Sequence, residues 1–223
     1  MSAAFPRALR VFLLLAAGAL AMRAAGPLAD ALAAPGVPLV WWIARASGLL
    51  TWLALALAAL FGVLIAAKGA GGLLDKATVA ELHARWSLAA IIAAAVHVLA
   101  VVADPVSGVS PLAALAPFTS ATLTGPVALG TFALWGLALV ALSTALSRRL
   151  SRASWRAIHA SAFGTLLLGL AHGITSGTDA DAPAARALYL VTTGLVLAAI
   201  VQRLLLAARP SRGAPPPPQG DRP

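Results

Sequence analysis

The chain has 223 residues, of which 61% are hydrophobic and 10% charged, where an ordinary soluble domain carries about 25% charged residues. With a mean hydropathy of +0.91, these values exclude a fold solvated on all sides. The net charge of +9 would suggest nucleic acid in a soluble protein, but cations gathered at one end of membrane spans account for it equally well, and nucleic-acid binding is set aside. The chain has no cysteine. Disulfides, iron–sulfur clusters, thiolate zinc sites and Cys-x-x-Cys-His haem attachment are therefore excluded, and any metal must be held by histidine or oxygen.

The first apolar stretch, residues 11–22, follows Arg7 and Arg10 and precedes Arg23 and the small residues 31–34. It reads either as a first helix over about residues 8–25 or as a signal-like segment; the charge pattern fits the helix better. Spans long enough to cross about 30 Å of hydrocarbon follow at 47–67, 86–103, 125–146, 155–174 and 188–208. The expected fold class is all-α, a polytopic membrane bundle of six transmembrane helices. It divides into an N-terminal helix and outer loop (1–41), a transmembrane domain (42–208) and a disordered proline-rich tail (209–223).

With six spans, one side collects Arg7, Arg10, Lys68, Lys76, Arg85, Arg148, Arg149, Arg152, Arg156, Arg203, Arg209, Arg212 and Arg222. The other side has only Arg23, Arg45 and Arg186, with Asp30, Asp104, Asp179 and Asp181. The positive-inside rule then places both termini in the cytoplasm of what is expected to be a bacterial cytoplasmic membrane. The outer loop 105–124, broken by Pro105, Pro111 and Pro117, is expected to rest on the membrane surface. Trp41, Trp42, Trp52, Trp86 and Trp155 fall mostly near span ends, as an aromatic belt does. No solenoid repeat and no glycine-rich phosphate loop is present.

All four histidines lie in two spans, His83 and His97 in the third and His159 and His172 in the fifth. Intramembrane ionisable residues are rare and usually functional. The separations of 14 and 13 residues correspond to roughly 21 and 19.5 Å of helix rise. If both helices run outwards, His83 lies level with His159 and His97 with His172. Two facing imidazoles supply the axial ligands of a b-type haem, whereas a lone first-row metal wants a third or fourth ligand, and only Glu81 lies near. A 14-residue step returns to within roughly 40° of its starting face, but a 13-residue step lands about 220° round. The fifth helix must then be overwound or kinked for both rings to share a face. Gly164, Gly169 and Gly173 fit such a distortion, or close approach to a porphyrin, as well as they fit helix contacts.

On these residues the chain resembles the ferric-reductase-like transmembrane domain, over about residues 42–203. The segments that carry the likeness are Glu81-Leu82-His83-Ala84-Arg85, Ala95-Val96-His97-Val98, Trp155-Arg156-Ala157-Ile158-His159 and Ala171-His172-Gly173. The resemblance implies six helices and two b-type haems, an inner one on His83 and His159 and an outer one on His97 and His172. It also implies a propionate partner at Arg45 near the outer haem. Arg85 and Arg156 are the candidate propionate partners inside, because unpaired charge in low dielectric is costly; snorkelling or topology setting accounts for all three arginines equally well. No covalent flavin is expected, and the chain ends soon after its last span, so a separate cytoplasmic flavoprotein or membrane quinol is the expected donor.

The function expected is one-electron transfer across the bilayer to an extracytoplasmic acceptor such as ferric iron, by an oxidoreductase of ferric-reductase type or its membrane subunit. Two other functions remain open: a quinol-oxidising haem anchor for a periplasmic reductase, and a haem-free transporter or proton relay. The relay is disfavoured by the scarcity of carboxylates within the spans.

Overall fold

A computed structural model describes residues 38–66 and 75–208 of the chain. The first hydrophobic segment, Lys68 and the proline-rich tail lie outside the described residues. The described elements are α1 (Leu39–Ala66), α2 (Lys76–Ala103), α3 (Pro111–Leu115), α4 (Thr124–Ala145), a 3-10 turn (Ser147–Arg149), α5 (Arg152–Ala160), α6 (Ala162–Ser176) and α7 (Pro183–Ala207). Counting α5 and α6 as one interrupted span, five helices are long and apolar enough to cross a membrane. The protein is an all-helical membrane bundle.

The helices begin earlier than the apolar windows do. Polar first turns are tolerated where a helix emerges into the interface, and a cap fixes the start. Before α2, the Asp75 carboxylate accepts from the Thr78 backbone N–H at 2.9 Å and from its hydroxyl at 2.7 Å. The chain then enters the helix through Lys76, with Glu81 and Arg85 paired one turn apart. Ser110 and Ser151 cap α3 and α5 in the same way.

Packing is the inverse of a soluble core. Ala44, Ala54, Ala56, Ala58, Ala90, Ala93, Ala94 and Ala100 are buried, while Leu88, Ile92, Leu99, Leu139, Leu142, Leu190 and Leu204 face outwards. In lipid the driving force between helices is close backbone approach rather than removal of apolar surface from water, so small residues occupy the contacts. The dominant contact runs between α1 and α2, followed by that between α4 and α6; α7 and α6 both lean on α1. The larger side chains gather at that last junction, where Trp52, Leu166, Tyr189 and Val196 form one cluster. Trp52 belongs to this core and not to an interfacial belt: it is 5% exposed, its indole N–H donates to Thr192 Oγ1 at 2.9 Å, and its ring meets Tyr189 edge-on at 5.6 Å.

Two features position the site. The outer loop folds onto the start of α4: Ala113 in α3 is buried and its carbonyl accepts from Thr131 Oγ1 at 3.3 Å, while Leu112 and Leu115 stay exposed. The fifth span is interrupted at Ser161, whose backbone N–H reaches Ile158 O at 3.0 Å in a tight i→i+3 turn, and whose hydroxyl donates to the same carbonyl at 2.6 Å. The break falls between His159 and His172, where the 13-residue spacing demands it, and upstream of Gly164, Gly169 and Gly173.

Hydrogen bonds from Thr78 hold the Asp75 carboxyl below the usual carboxylate range. A lowered folded pKa means that the cap contributes above the unfolded value and is lost as pH falls through the folded one. Asp75→Ala is therefore expected to lower the melting temperature in detergent at neutral pH. The difference from the parent should vanish in acid, below the carboxylate range.

Candidate functional site

The two histidine-bearing spans do not pack on each other. α2 is held by α1, and α6 by α4, with no substantial contact between α2 and either α5 or α6. Across that gap the imidazoles meet in two pairs. His83 and His159 have ring centroids 5.9 Å apart with planes at 66°, and His97 and His172 lie 6.1 Å apart at 73°. No hydrogen bond joins the rings within either pair among the described residues.

Three of the four rings are oriented by the same device. His97 Nδ1 lies 2.8 Å from Ala44 O, His83 Nδ1 2.8 Å from Ala58 O, and His172 Nδ1 2.8 Å from Pro126 O. A carbonyl can only accept, so each Nδ1 carries the proton and each Nε2 is left with a lone pair. Four residues after each of these carbonyls stands a glycine. A Cβ at Gly48 would lie 3.0 Å from His97 Nδ1, at Gly62 3.3 Å from His83 Cε1, and at Gly130 2.7 Å from His172 Nδ1 and Cε1. The ring thus reaches the second lone pair of a helix carbonyl through the space of a missing side chain. Ser176 Oγ, 2.9 Å from His172 Nδ1, adds a further contact at the outer end.

His159 lacks this support. Its Nδ1 is buried without a hydrogen-bond partner, as is the adjacent Trp155 Nε1. What it has is the Trp155 ring stacked on it, 4.9 Å between centroids at 23°.

Beside the His97–His172 pair lies a cavity of about 240 Å³, lined by both rings and by Gly48, Gly130, Gly169 and Arg45 among others. It is far larger than a bare ion and is lined mainly by apolar side chains. Among the described residues no group of three or more His, Asp or Glu converges as a metal site. Of the three glycines of the fifth span, Gly173 receives Tyr189, with the hydroxyl 2.7 Å from where a Cβ would stand. Gly169 meets only Leu55, at 4.0 Å, and Gly164 meets nothing.

The three arginines fare differently. Arg45 lines the outer cavity, but its guanidinium forms a two-point ion pair with Asp179, Nε to Oδ2 at 2.6 Å and Nη2 to Oδ1. Arg85 is exposed and paired with Glu81 at 2.5 Å. Arg156 is exposed and lines an open recess of about 390 Å³ with Ser147, Leu150, Arg152 and Trp155, with no ion pair among the described residues. Arg186, at the same end of the bundle as Arg45, is likewise paired, with Asp181 at 2.5 Å. Arg148, Arg149, Arg152, Arg156 and Arg203 at the other end have no such partner among the described residues.

Residues 39–179 match the family described as a domain of unknown function (DUF8596). The chain belongs to the DUF8596 family. No curated protein and no solved structure matches it. The DUF8596 region opens at the first residue of α1 and closes at Asp179, so it contains both imidazole pairs, the three glycine cradles and the Arg45–Asp179 pair, and it leaves out α7.

Sequence reasoning names the histidines but misses Gly48, Gly62 and Gly130 as their supports, and Asp179 as the partner of Arg45. A signal was present: Gly48 and Gly62 repeat the 14-residue interval of His83 and His97 on the neighbouring, antiparallel span. Gly130→Ala is expected to push the His172 ring off its carbonyl at a cost of about 1–3 kcal/mol, the range for overpacking a filled site. Gly164→Ala, which meets open space, should hold or slightly raise stability. Thermal unfolding of both variants in detergent separates the two cases.

Proposed function

We propose that the protein is a di-haem b transmembrane electron-transfer protein, moving electrons singly from a cytoplasmic donor to an acceptor outside, such as ferric iron. One observation carries this. In the outer pair both rings have committed the Nδ1 proton to a backbone carbonyl, so both Nε2 atoms carry lone pairs, in rings 6.1 Å apart with no proton to share between them. Two buried lone-pair donors without a hydrogen between them call for a Lewis acid. Metal–imidazole bonds of about 2 Å on each side, with the half-ring from each nitrogen to its centroid, add to about 6 Å, which the centroid distances match. Two imidazoles and no further ligand, beside an apolar-lined cavity far larger than an ion, suit bis-histidine haem better than a bare ion. The resemblance to the ferric-reductase-like domain points the same way.

When bound, haem supplies one-electron iron chemistry. The chain's own residues supply the rest. The carbonyls of Ala44, Ala58 and Pro126 fix ring tautomer and orientation and raise the basicity of Nε2. His97 and His172 would both be committed to holding the outer haem, which would favour electron passage over substrate binding there. Leucine, valine and alanine side chains around the rings keep water out and the dielectric low. Arg156, without an ion pair, is the inner propionate partner, and Arg45 serves the outer group as part of a neutralised pair with Asp179. By the positive-inside rule, the five arginines at the His83–His159 end that have no ion pair among the described residues support a cytoplasmic position for that end, in a bacterial cytoplasmic membrane. A separate flavoprotein or membrane quinol is the donor.

A pyridine haemochrome assay with a reduced-minus-oxidised spectrum should give close to two b-type haems per chain. His97→Ala or His172→Ala should leave the inner spectrum alone, and His83→Ala or His159→Ala the outer. Rings crossed at 66° and 73° should also give the oxidised protein a strongly anisotropic low-spin electron paramagnetic resonance signal, unlike that of parallel rings. A chain that holds no haem after expression with ample haem supply would overturn the proposal.

A further inference from the structure

The two histidine pairs are not equivalent, and the difference is confined to one ring. Three imidazoles are pinned by a carbonyl above a glycine; His159 has a buried Nδ1 with no partner. The reason is legible on α4. The 14-residue interval that leads from Gly48 to Gly62 on α1 leads from Gly130 to Thr144 on α4. There the carbonyl four residues back, Val140 O, already accepts from Ser143 Oγ at 2.8 Å and Thr144 Oγ1 at 3.0 Å. At that interval α4 therefore repeats neither the glycine nor the free carbonyl of the other three.

The platform under His159 is also different. His172 sits on α6, which is anchored against α4 and buries Thr165 and Leu166. His159 sits on α5, nine residues that bury none of their own members and end at the Ser161 break. A nine-residue helix with no buried residue, set between a 3-10 turn and the Ser161 break and resting lightly on α4 and α6, belongs to the low-stability end of a structure. Loss of an orienting hydrogen bond on a ligating imidazole typically costs 10–100-fold in metal affinity. Both effects act on the same ring.

We propose that the inner site opens on the His159 side: α5 turns at Ser161, the His159 ring leaves the metal, and the vacated position accepts a small uncharged ligand of dioxygen or carbon monoxide size. The outer site, with both rings pinned, stays closed. This rests on the haem assignment above and extends it, making the inner site responsive to a ligand as well as a conduit. In the exchange one iron–nitrogen bond breaks and one bond from iron to the incoming ligand forms, with no change of oxidation state. Trp155, stacked on His159, is the positioning residue that holds the ring in place.

Carbon monoxide tests this on the dithionite-reduced full-length protein, followed in the Soret band with haem content measured on the same sample. The expected result is that half of the haem binds carbon monoxide and half does not. Trp155→Ala should speed binding by that half by about tenfold or more and leave the other half unreactive, while Trp155→Phe, which keeps the stack, should follow the parent. No reaction of either haem, reaction of both in the parent, or a Trp155→Ala rate equal to that of the parent would each overturn the inference while leaving two bis-histidine haems in place. Absence of haem would overturn the proposed function, and this inference with it.

Discussion

A helix carbonyl bonded to the N–H four residues on still has a second lone pair, and the site in this bundle depends on three such lone pairs. An imidazole can use one only by coming in beside the helix backbone, where the side chain of the fourth residue normally stands. Glycine at that position is therefore a condition of the bond and not a by-product of packing. From the bond follow the ring tautomer, the orientation of Nε2 and the close approach of α1 to α2. The gap also follows, because a ring turned to its neighbour on one side offers its free nitrogen on the other.

The rest of the bundle serves that gap. Two tightly packed units, α1 with α2 and α4 with α6, are kept apart where the rings meet and are brought together elsewhere by α7 and by the cluster around Trp52 and Tyr189. Alanine-rich contacts bring backbones close within each unit, and buried hydroxyls such as Ser47 and Thr192 return their hydrogens to carbonyls of their own helices, so little polar capacity is left unmet in the apolar interior. At the His97–His172 end Arg45 and Arg186 are neutralised by Asp179 and Asp181. The charge asymmetry of the chain is thus steeper in three dimensions than a count of residues along each loop indicates.

Five apolar spans and the level of the four histidines were legible in the sequence because hydropathy and helical rise are one-dimensional quantities. The need for a distortion in the fifth span was legible too, from 13 residues where 14 would keep a face. Its position was not: glycine draws attention as a helix breaker, but the turn tightens at Ser161, whose hydroxyl returns to the Ile158 carbonyl and competes with the helical pattern. The role of Gly48, Gly62 and Gly130 was hidden because it lies between helices. An interval on one span acquires meaning only when the antiparallel register of its neighbour is known. Trp52 was misplaced for the same reason, since its partner Thr192 is 140 positions away. Arg45 was singled out through the family resemblance, and Asp179, its partner across the cavity, was not.

The orienting bonds also have an order in time. Each lies within one of the two packed units: His83 and His97 are aimed by α1, and His172 by α4. During synthesis the α1–α2 hairpin is complete before α4 is made, so it stands in the membrane with two rings already set, while the opposing rings do not yet exist. Assembly of each pair is then the docking of a finished half-site by a later one. A flat group lodged against the early hairpin would be clasped from the far side as the remaining helices insert, with no need for a closed bundle to reopen.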